Sequence, residues 1–440
     1  RHPFDSLPQL FHSGCVLLNQ CLHNLDVLQW LLGMPARVRG FCQLGRFHQI
    51  EVEDNVTAYL EWPNRATGVF VSSTGEAPGA NRFEIVGTRG IPARYGGFET
   101  FAEELSVRLA ERGHEVFVYC RQRHTAAEYR GVQLRYLPTI AHKYLDTIAH
   151  TAFSTLHLIP HPVDAALYCN AANAVFTWVP RLFGIPVALN VDGLERKRKK
   201  WNKLARSWYL LSERLATICP NTIVSDAEAI AAYYRDRYGR DSVFIPYGAP
   251  VGKVATSAAL DQLGLERTRY FLYVSRMEPE NNALLVRQAF EQVDTPLKLA
   301  LIGDAPYSHE YIRRVRDTKD PRIVQPGGIY GDGYHELQSH SFAYIHATEV
   351  GGTHPALIEA MGRGALTLYL ENEENSEVAG GAAIPFTPST LVERLREVLN
   401  MSSAERDLWR TRAMERVRER YSWDAVTDAY ERLLTSLVGQ

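Results

Sequence analysis

From residue 83 onward, short apolar segments alternate with amphipathic helical segments, and this alternation restricts the fold more than any other feature of the chain. The first repeat has an apolar segment at residues 83–86, a glycine-rich stretch at residues 87–97 and then a helical stripe. The apolar side chains of the stripe recur at helical spacing and are Phe98, Phe101, Ala102, Leu105 and Leu109. Gly113 ends the helix, and residues 116–120 form the next predicted strand. Strands and helices that alternate in this way form layers with a parallel sheet.

The alternation is interrupted once, which predicts two successive doubly wound domains. Further strands of the first domain are predicted at residues 165–168, 187–191, 222–224 and 243–245. A polar stretch at residues 252–261 resembles a linker. The alternation then restarts with predicted strands at residues 271–274, 297–302, 342–345 and 366–370. Ligands of such sheets bind at the carboxyl ends of the strands, so we expect a cleft between the two domains.

Residues 1–82 have a different pattern. One apolar helix is predicted around residues 17–32, followed by alternating strands. Val56, Ala58 and Leu60 fall on one face of a strand, and a turn at residues 64–65 leads to a returning strand at residues 68–73. The predicted fold class is therefore α/β, with two doubly wound Rossmann-like domains preceded by a truncated α+β fragment with an antiparallel sheet.

Composition and charge exclude several classes of protein. Hydrophobic residues make up 45% of the chain and charged residues 22%, which is typical of globular proteins. The net charge of −2 gives no general attraction to nucleic acid, so we expect no nucleic-acid partner. The six cysteines lack metal-ligand spacing, which predicts reduced core thiols and a cytoplasmic location. The longest apolar stretch, residues 174–191, is broken by two prolines and an arginine and is a poor membrane span.

The strongest local motif is EVGGTHPALIEAM at residues 349–361. Gly351 and Gly352 let the backbone approach a ligand closely, and a helix begins near Thr353. A helix N-terminus behind a glycine pair suits a diphosphate. Glu359 lies within an otherwise apolar helix, and its carboxylate would need partners such as ribose hydroxyls. The alternative is a capped core helix with a partly exposed glutamate.

Three further segments accompany this motif at domain-like spacing. They are GTRGIPARYGGFE at residues 87–99, SRMEPENN at residues 275–282 and GDAPY at residues 303–307. Together the four segments resemble the family 4 glycosyltransferases, in particular a bacterial rhamnosyltransferase-like branch, over about residue 83 to the C-terminus. The resemblance implies the B-type glycosyltransferase fold and metal-independent hexosyl transfer with retention of configuration. It also implies no cofactor, with a nucleoside-diphosphate sugar as the donor substrate.

The resemblance implies a donor site made mainly by the second domain. Arg276 is expected at the diphosphate, because a fixed guanidinium stabilises the charge on a departing diphosphate. The other donor-binding residues that it implies are Gly351, Gly352, Thr353, Asn282, Gly303 and Glu359. The alternative for Arg276 is a surface salt bridge.

Two departures from the family pattern affect the expected catalytic carboxylate. Many relatives have a lysine shortly after the arginine, whereas this chain has glutamate and asparagines at residues 280–282. Of the usual pair of glutamates, Glu359 matches the second, but Gly351 occupies the first position. Glu349 lies two residues earlier and is the predicted catalytic carboxylate beside Arg276.

The first domain is expected to supply the other side of the cleft. Gly96 and Gly97 match the glycine loop that family members place opposite the donor phosphates; a tight turn is the alternative. Asp192 follows a buried strand where many family members have a histidine, and it is the third predicted catalytic residue. A capping or turn aspartate is the alternative.

A basic run from Arg196 to Lys200 precedes aromatic and apolar residues of a predicted helix. This pattern suits peripheral contact with the inner face of the cell membrane, or with a lipid-linked acceptor. A solvated helix face is the alternative.

The segment NQCLHNLD at residues 19–26, followed by WLLG at residues 30–33, resembles a second family. That family is the C-terminal domain of the glucose-fructose oxidoreductase and inositol dehydrogenase proteins, where an acidic residue and a histidine act one helical turn apart. Here Asn19 takes the acidic position and His23 keeps the histidine. The nicotinamide-binding segments of that family precede such a domain, so we expect a fragment with an inert histidine, fused at residues 87–90.

These observations predict four segments and one main function. Residues 1–82 are the oxidoreductase fragment, 83–260 the acceptor-side domain, 261–420 the nucleotide-sugar-binding domain, and 421–440 a helix that packs back on the first domain. The predicted function is retaining transfer of a sugar, rhamnose by resemblance alone, to a polysaccharide or lipid-linked acceptor. The alternatives are a remnant of an NAD(P)-dependent sugar oxidoreductase and an inactive sugar-nucleotide-binding fusion product. A dehydrogenase would need a G-x-G-x-x-G loop, and Gly87 and Gly90 have the wrong spacing.

Overall fold

A computed structural model describes residues 22–44, 53–73, 81–93, 96–123, 126–140, 142, 145–161, 163–198, 201–305 and 308–438. The chain forms two compact units, Arg1–Gly79 and Ala80–Gln440. None of the described helices is long and apolar enough to cross a membrane.

The first unit contains one helix and a three-stranded antiparallel sheet in the order β1-β2-β3. Its elements are α1 (Leu22–Leu32), β1 (Arg37–Leu44), β2 (Glu53–Glu61) and β3 (Thr67–Ser73). Val56, Ala58 and Leu60 are buried on one face of β2, as their alternation predicts. The predicted start of the helix at residues 17–21 lies outside the described residues, as do Asn19 and the side chain of His23.

The second unit begins with an eight-stranded sheet in the order β11-β10-β9-β8-β4-β5-β7-β6, parallel except for the β6–β7 pair. Its strands are β4 (Arg82–Val86), β5 (Glu115–Cys120), β6 (Glu128–Tyr129), β7 (Val132–Tyr136), β8 (Ala165–Cys169), β9 (Val187–Asn190), β10 (Thr222–Ser225) and β11 (Val243–Phe244). Its helices are α2 (Gly97–Glu111), α3 (Asp146–Leu158), α4 (Trp178–Leu182), α5 (Lys203–Ala216) and α6 (Glu228–Tyr238), with 3-10 turns at Ala171–Phe176 and Glu195–Lys197.

A second, wholly parallel sheet follows in the order β14-β13-β12-β15-β16-β17. Its strands are β12 (Tyr270–Val274), β13 (Lys298–Ile302), β14 (Ile323–Gly327), β15 (Ala343–His346), β16 (Thr367–Leu370) and β17 (Ile384–Phe386). The helices are α7 (Ala258–Leu263), α8 (Ala283–Glu291), α9 (His309–Arg316), α10 (Asp332–His340), α11 (Pro355–Gly362), α12 (Glu373–Ala379), α13 (Leu391–Asn400), α14 (Ser403–Arg420) and α15 (Trp423–Leu437).

Both parallel sheets have a doubly wound topology. In each sheet the chain starts at an interior strand, moves outward to one edge, and then returns to continue on the other side of that strand. The strand order therefore reverses between β4 and β8 in the first sheet and between β12 and β15 in the second. Loops diverge at such points and leave a crevice at the carboxyl ends of the strands. The predicted fold class is confirmed.

The central strands are buried on both faces, which explains their continuous apolar sequences. Every residue of β8, β9 and β16 is buried. Strand β14 was not predicted, and it is only half-buried and contains a proline and a glycine. Strands β6 and β17, which are short edge strands, and strand β7 beside β6 were also missed.

The last two helices connect the two sheets. Helix α14 packs against α11 of the second sheet, and α15 returns to α2 and β8 of the first. The side-chain amide of Asn190 donates to the Tyr430 hydroxyl at 2.8 Å, and Arg112 pairs with Asp428 at 2.7 Å. The return of α15 anchors the C-terminus beside the strand that leads into the cleft.

The cysteines that the structure describes are free thiols. Cys120, Cys169 and Cys219 are buried, whereas Cys42 is exposed. Burial raises the pKa of the Cys169 thiol above its usual range, which keeps it protonated. Cys15 and Cys21 lie outside the described residues.

Candidate active site

A cleft of about 1160 Å³ lies between the carboxyl edges of the two parallel sheets. Loops from both halves of the second unit line it. The first half contributes residues that follow β4 and β9, and the second contributes residues that follow β12, β13 and β15. The predicted site residues that line the cleft are Gly96, Gly97, Asp192, Arg276, Gly303, Gly351, Gly352, Thr353 and Glu359.

Arg276 is a cation of the second-domain wall. It follows β12, is half-buried, and forms no ion pair with any residue that the structure describes. The side-chain amide of Asn281 donates to the Arg276 carbonyl at 2.7 Å and holds this loop. Gly303 has φ +144°, and a Cβ there would overlap the Ser275 carbonyl, so only glycine permits this approach of the two loops. The cleft therefore contains a guanidinium that has no ion-pair partner among the described residues.

The loop before α11 forms the opposite part of this wall. Helix α11 begins at Pro355, and the backbone N–H groups of Gly351 and Gly352 make no hydrogen bond to the described part of the protein. These groups and the positive end of the helix dipole provide donors for an anion. Thr353 differs from the glycines, because its backbone N–H donates to Asp226 at 2.8 Å and its hydroxyl donates to the Asp226 carbonyl.

Asp226 therefore connects the two halves at this point. It follows β10 of the first sheet, yet its carboxylate lies so close to the second half that a Cβ at Gly352 would overlap it. Burial raises the pKa of the Asp226 carboxyl well above its usual range, and nearby Asp192 raises it further. Sequence reasoning missed Asp226, although it follows a predicted strand as Asp192 does.

Asp192 lies on the first-domain side of the cleft. It has φ +58°, and its backbone N–H donates to the Asn190 side chain at 3.0 Å, which fixes the turn after β9. Burial raises the pKa of the Asp192 carboxyl and nearby Glu195 raises it further, whereas Arg198 and Arg276 oppose the shift. Arg276 and Asp192 thus interact electrostatically across the cleft.

Arg198 is a second cation of the cleft that the sequence did not reveal. Its side chain is buried and pairs with Glu195 at 2.5 Å, and it lies 3.9 Å from Glu280 of the second half. Both Glu280 oxygens are buried without a hydrogen-bond partner in the described part of the chain. Arg198 therefore connects the two halves through these carboxylates and does not lie on a solvated surface.

Glu359 is buried at the base of the cleft. It is 5% exposed and accepts a hydrogen bond from the Tyr334 hydroxyl at 2.6 Å. Burial raises the pKa of the Glu359 carboxyl to about 7, against a smaller lowering by Tyr334. The carboxyl has one protein partner and lines the cleft, so its remaining acceptor positions suit ligand hydroxyls.

Two buried histidines lie behind the glycine pair. His346 Nε2 and His354 Nδ1 are 2.8 Å apart, and His354 Nε2 has no hydrogen-bond partner among the described residues. Burial lowers the pKa of His354 to about 4, and nearby Arg198 adds to this effect. Both rings are therefore neutral at physiological pH. The motif at residues 349–361 contained His354, but nothing in the sequence indicated its partner.

The glycine loop of the first domain meets the α11 terminus across the cleft. A Cβ at Gly97 would lie 2.9 Å from the Pro355 side chain, so the two backbones approach closely here. The Glu99 carboxylate accepts the backbone N–H of Arg89 at 3.0 Å and fixes the start of α2. Residues 94–95 of this loop lie outside the described residues.

Two predicted site residues do not line the cleft. Asn282 itself has φ +60°, and its side-chain amide donates to the Ala347 carbonyl and to Glu349 Oε1, both at 3.0 Å. Both side chains are therefore used to hold the loop after β15, and neither is among the cleft-lining residues. The structure places Asn282 and Glu349 as supports of the site, because Glu349 precedes the glycine pair and points back to its own domain.

The basic run from Arg196 to Lys200 is not a free surface patch in its described part. Arg196 pairs with Glu213 at 2.9 Å and donates to the Tyr233 hydroxyl at 2.9 Å. Arg198 is buried in the cleft, and Lys197 is exposed. Lys199 and Lys200 lie outside the described residues. Among the residues that the structure describes, no three His, Cys, Asp or Glu side chains converge as metal ligands.

Solved structures with the same arrangement of two sheets around a cleft cover about four-fifths of this chain. A sucrose-phosphate synthase from Thermosynechococcus elongatus superposes with a TM-score of 0.66 and 16% identity, over 81% of this chain and 99% of that chain. HepE from Anabaena, in complex with UDP and glucose, superposes with a TM-score of 0.66 and 14% identity, over 81% of this chain and 100% of that chain. WaaG, a glycosyltransferase involved in lipopolysaccharide biosynthesis, superposes with a TM-score of 0.62 and 17% identity, over 80% of this chain and 99% of that chain.

The fold is that of the B-type glycosyltransferases. Two family models also match the sequence. Residues 81–250 match a domain of unknown function, DUF1972, and residues 4–91 match the GFO/IDH/MocA C-terminal domain. No curated protein matches this chain. The two family matches overlap at residues 81–91, which contain β4 and the start of the first cleft loop.

Proposed function

We propose that this protein is a retaining glycosyltransferase that moves a sugar from a nucleoside-diphosphate donor to a hydroxyl of a glycan or lipid-linked acceptor. The observation that carries this proposal is that the Arg276 guanidinium and the N–H groups of Gly351 and Gly352 line one cleft, without ion-pair or hydrogen-bond partners among the described residues. A cation and a helix N-terminus in one cleft form a site for a diphosphate.

The donor is expected to bind mainly to the second domain. Its diphosphate would lie between Arg276 and the glycine pair, and its ribose hydroxyls would donate to Glu359. The structure of HepE in complex with UDP-glucose supports a nucleotide-sugar donor for this fold. The nucleotide base and the sugar are left open, with rhamnose as the sugar that the sequence resemblance favours.

The transfer step would use the charges that the cleft already contains. Arg276 and the two glycine N–H groups would stabilise the negative charge that develops on the departing diphosphate. The leaving diphosphate would accept the proton of the acceptor hydroxyl. Asp192 faces this region from the first domain and would orient the acceptor through a hydrogen bond. No metal or cofactor is assigned a role in this proposal.

The N-terminal unit is proposed to be a passenger of the transferase. The two family matches overlap at residues 81–91, which supports a fusion joint near residues 87–90. The oxidoreductase match ends at residue 91, before most of the residues that line the cleft. The alternative of an oxidoreductase remnant therefore gains no support from the cleft.

The proposal is tested by assaying the full chain with a panel of nucleoside-diphosphate sugars, with transfer and hydrolysis both measured. We expect Arg276→Ala to lower kcat/KM by at least ~100-fold, the scale of losing one transition-state charge contact. Arg276→Lys should recover part of this loss. Arg313→Ala is the matched control, because Arg313 is exposed and is not among the residues that line the cleft; its turnover should equal that of the wild type. Turnover that is unchanged in Arg276→Ala would contradict the proposed diphosphate position.

A further inference from the structure

Helices α4 and α5 expose a group of large apolar side chains on the first half of the second unit. We call this group the α4–α5 face, and its apolar members are Trp178, Leu182, Phe183, Leu204, Leu211 and Ile218. Leu204 is 80% exposed, Leu182 70% and Ile218 64%. Single exposed leucines are common on protein surfaces, but a group of this size indicates a contact surface.

The members of the α4–α5 face lie on neighbouring elements. Leu204, Leu211 and Ile218 recur every seven residues and so lie along one side of α5 and its C-terminal end. Helix α5 packs against the 3-10 turn that leads directly into α4. Arg181 of α4 donates to the carbonyl of Cys219 at 2.6 Å, which brings the end of α5 beside Leu182 and Phe183.

The exposed charges on the chain segments that carry this face have one sign. Exposed cations surround the apolar side chains, and they are Arg181, Lys203, Arg206 and Arg214. Over residues 171–198 and 201–221, which the structure describes, no aspartate or glutamate is exposed. Glu195 and Glu213 are buried in ion pairs with arginines, and Asp192 faces the cleft.

We propose that the α4–α5 face docks on an anionic membrane surface. Apolar and aromatic side chains among cations, without exposed carboxylates, are the composition of surfaces that bind to anionic bilayers. A second copy of the chain is a poorer occupant, because a two-fold interface would bring the same cations of both copies together. The face that binds is thus different from the basic run at residues 196–200, whose arginines are engaged in ion pairs.

Docking through this face would bring the cleft close to the membrane. Tyr209 lies on the same helix as Leu204 and Leu211 but lines the cleft, and Trp201 just before the helix does so too. One side of α5 would then contact lipid while its other side borders the acceptor region. This step rests on the proposed function, and it favours a lipid-linked acceptor over a soluble glycan.

Sedimentation of the full chain with vesicles tests the docking without any turnover. We expect binding to vesicles of phosphatidylcholine and phosphatidylglycerol (1:1), and at least ~10-fold weaker partitioning to pure phosphatidylcholine. The double variant Leu182→Ser, Leu211→Ser should weaken partitioning to the anionic vesicles by at least ~10-fold, because it removes two apolar side chains that would insert into the bilayer. The double variant Lys203→Glu, Arg214→Glu should also weaken partitioning by at least ~10-fold, and it should reduce the salt sensitivity of vesicle binding.

The matched control is the double variant Leu408→Ser, Arg418→Glu, which changes one exposed leucine and one exposed arginine. Both residues lie on α14, which packs against α11 and is not part of the α4–α5 face. The control variant should bind vesicles as the wild type does. Equal binding to both vesicle types, or face variants that bind as the control does, would overturn the proposal. A wild-type dimer that the face variants abolish, without vesicle binding, would assign the face to a second copy. The vesicle assay measures no turnover and the nucleotide-sugar assay uses no vesicles. A failure of membrane docking can therefore be told apart from a failure of the proposed glycosyltransferase activity.

Discussion

At the scale of single residues, the chemistry of the cleft depends on which side chains the fold brings together. The sequence motifs identified Arg276, Glu359 and the glycine pair, because each lies in a recognisable loop or helix start. They did not identify Asp226 or Arg198, because these side chains act through contacts with the other half of the cleft. A local pattern cannot show which loops meet across two sheets.

Glu359 gives a prediction about pH at this scale. Its carboxyl has an ordinary pKa of 4.5 and a pKa of about 7 in the folded protein, because of burial. Between these values the unfolded chain loses a proton that the folded protein keeps. The stability that the protonated form supplies is therefore complete below pH 4.5 and is lost as the pH rises through about 7.

The free energy of unfolding of the wild type should accordingly fall relative to Glu359→Gln as the pH rises from 4.5 to 7. A shift of this size corresponds to a change of about 3 kcal/mol in that difference. Urea unfolding at several pH values measures it, and other titrating groups cancel because both proteins share them. Parallel curves for the two proteins would show that Glu359 is not protonated by burial. Under the proposed function, added nucleotide should reduce the difference, because ribose hydroxyls stabilise the carboxylate.

At the scale of elements, the central strands were predictable because strands that are buried on both faces are apolar throughout. Strands β4, β5, β8, β12 and β16 coincide with their predicted ranges within a residue or two. The edge strands β6, β14 and β17 and the neighbouring strand β7 were missed, since a short or half-exposed strand has no continuous apolar run. The loops that hold the site were predictable as glycine-rich turns but not in their contacts.

Gly303 provides a test of one such contact. It has φ +144°, and an added Cβ would overlap the Ser275 carbonyl, so Gly303→Ala must displace the loop that holds Arg276. Gly239 at the end of α6 is the control, because it has φ +64° and open space around its Cα. Gly239→Ala should cost about 1 kcal/mol of unfolding free energy from backbone strain alone.

Gly303→Ala should cost at least twice as much and should also weaken nucleotide binding, whereas Gly239→Ala should leave binding unchanged. Urea unfolding and titration with a nucleoside diphosphate measure the two effects. Equal costs for the two substitutions, with nucleotide binding intact in both, would mean that the close approach of the two loops is not needed for the donor site.

At the scale of the whole molecule, the chain is divided between a large unit with two parallel sheets and a small unit whose described residues form one helix and a three-stranded antiparallel sheet. The division was visible in the sequence as a change of pattern near residue 82, and the structure divides at Gly79 and Ala80. The sequence could not show how much apolar surface each unit buries. That depends on which faces of its sheets are covered by other elements of the same unit.

The small unit is expected to be the weak part of the chain. Among its described residues, the buried apolar ones are Val56, Ala58, Leu60 and Trp62, and every residue of β1 is exposed. A three-stranded sheet with one helix buries too little apolar surface to offset its conformational entropy by a wide margin. The second unit has several extensive buried clusters and an α15 helix that locks its end to its first sheet.

Limited proteolysis should therefore remove residues 1–79 first and leave a resistant fragment that begins near residue 80. Mass spectrometry of the digest gives the boundary, and a nucleoside diphosphate should slow cleavage of the fragment but not of the small unit, since the cleft lies wholly in the second unit. Cleavage of both units at one rate would mean that they unfold together. In that case the N-terminal unit would be part of the stable fold, and the passenger role proposed for it would be wrong.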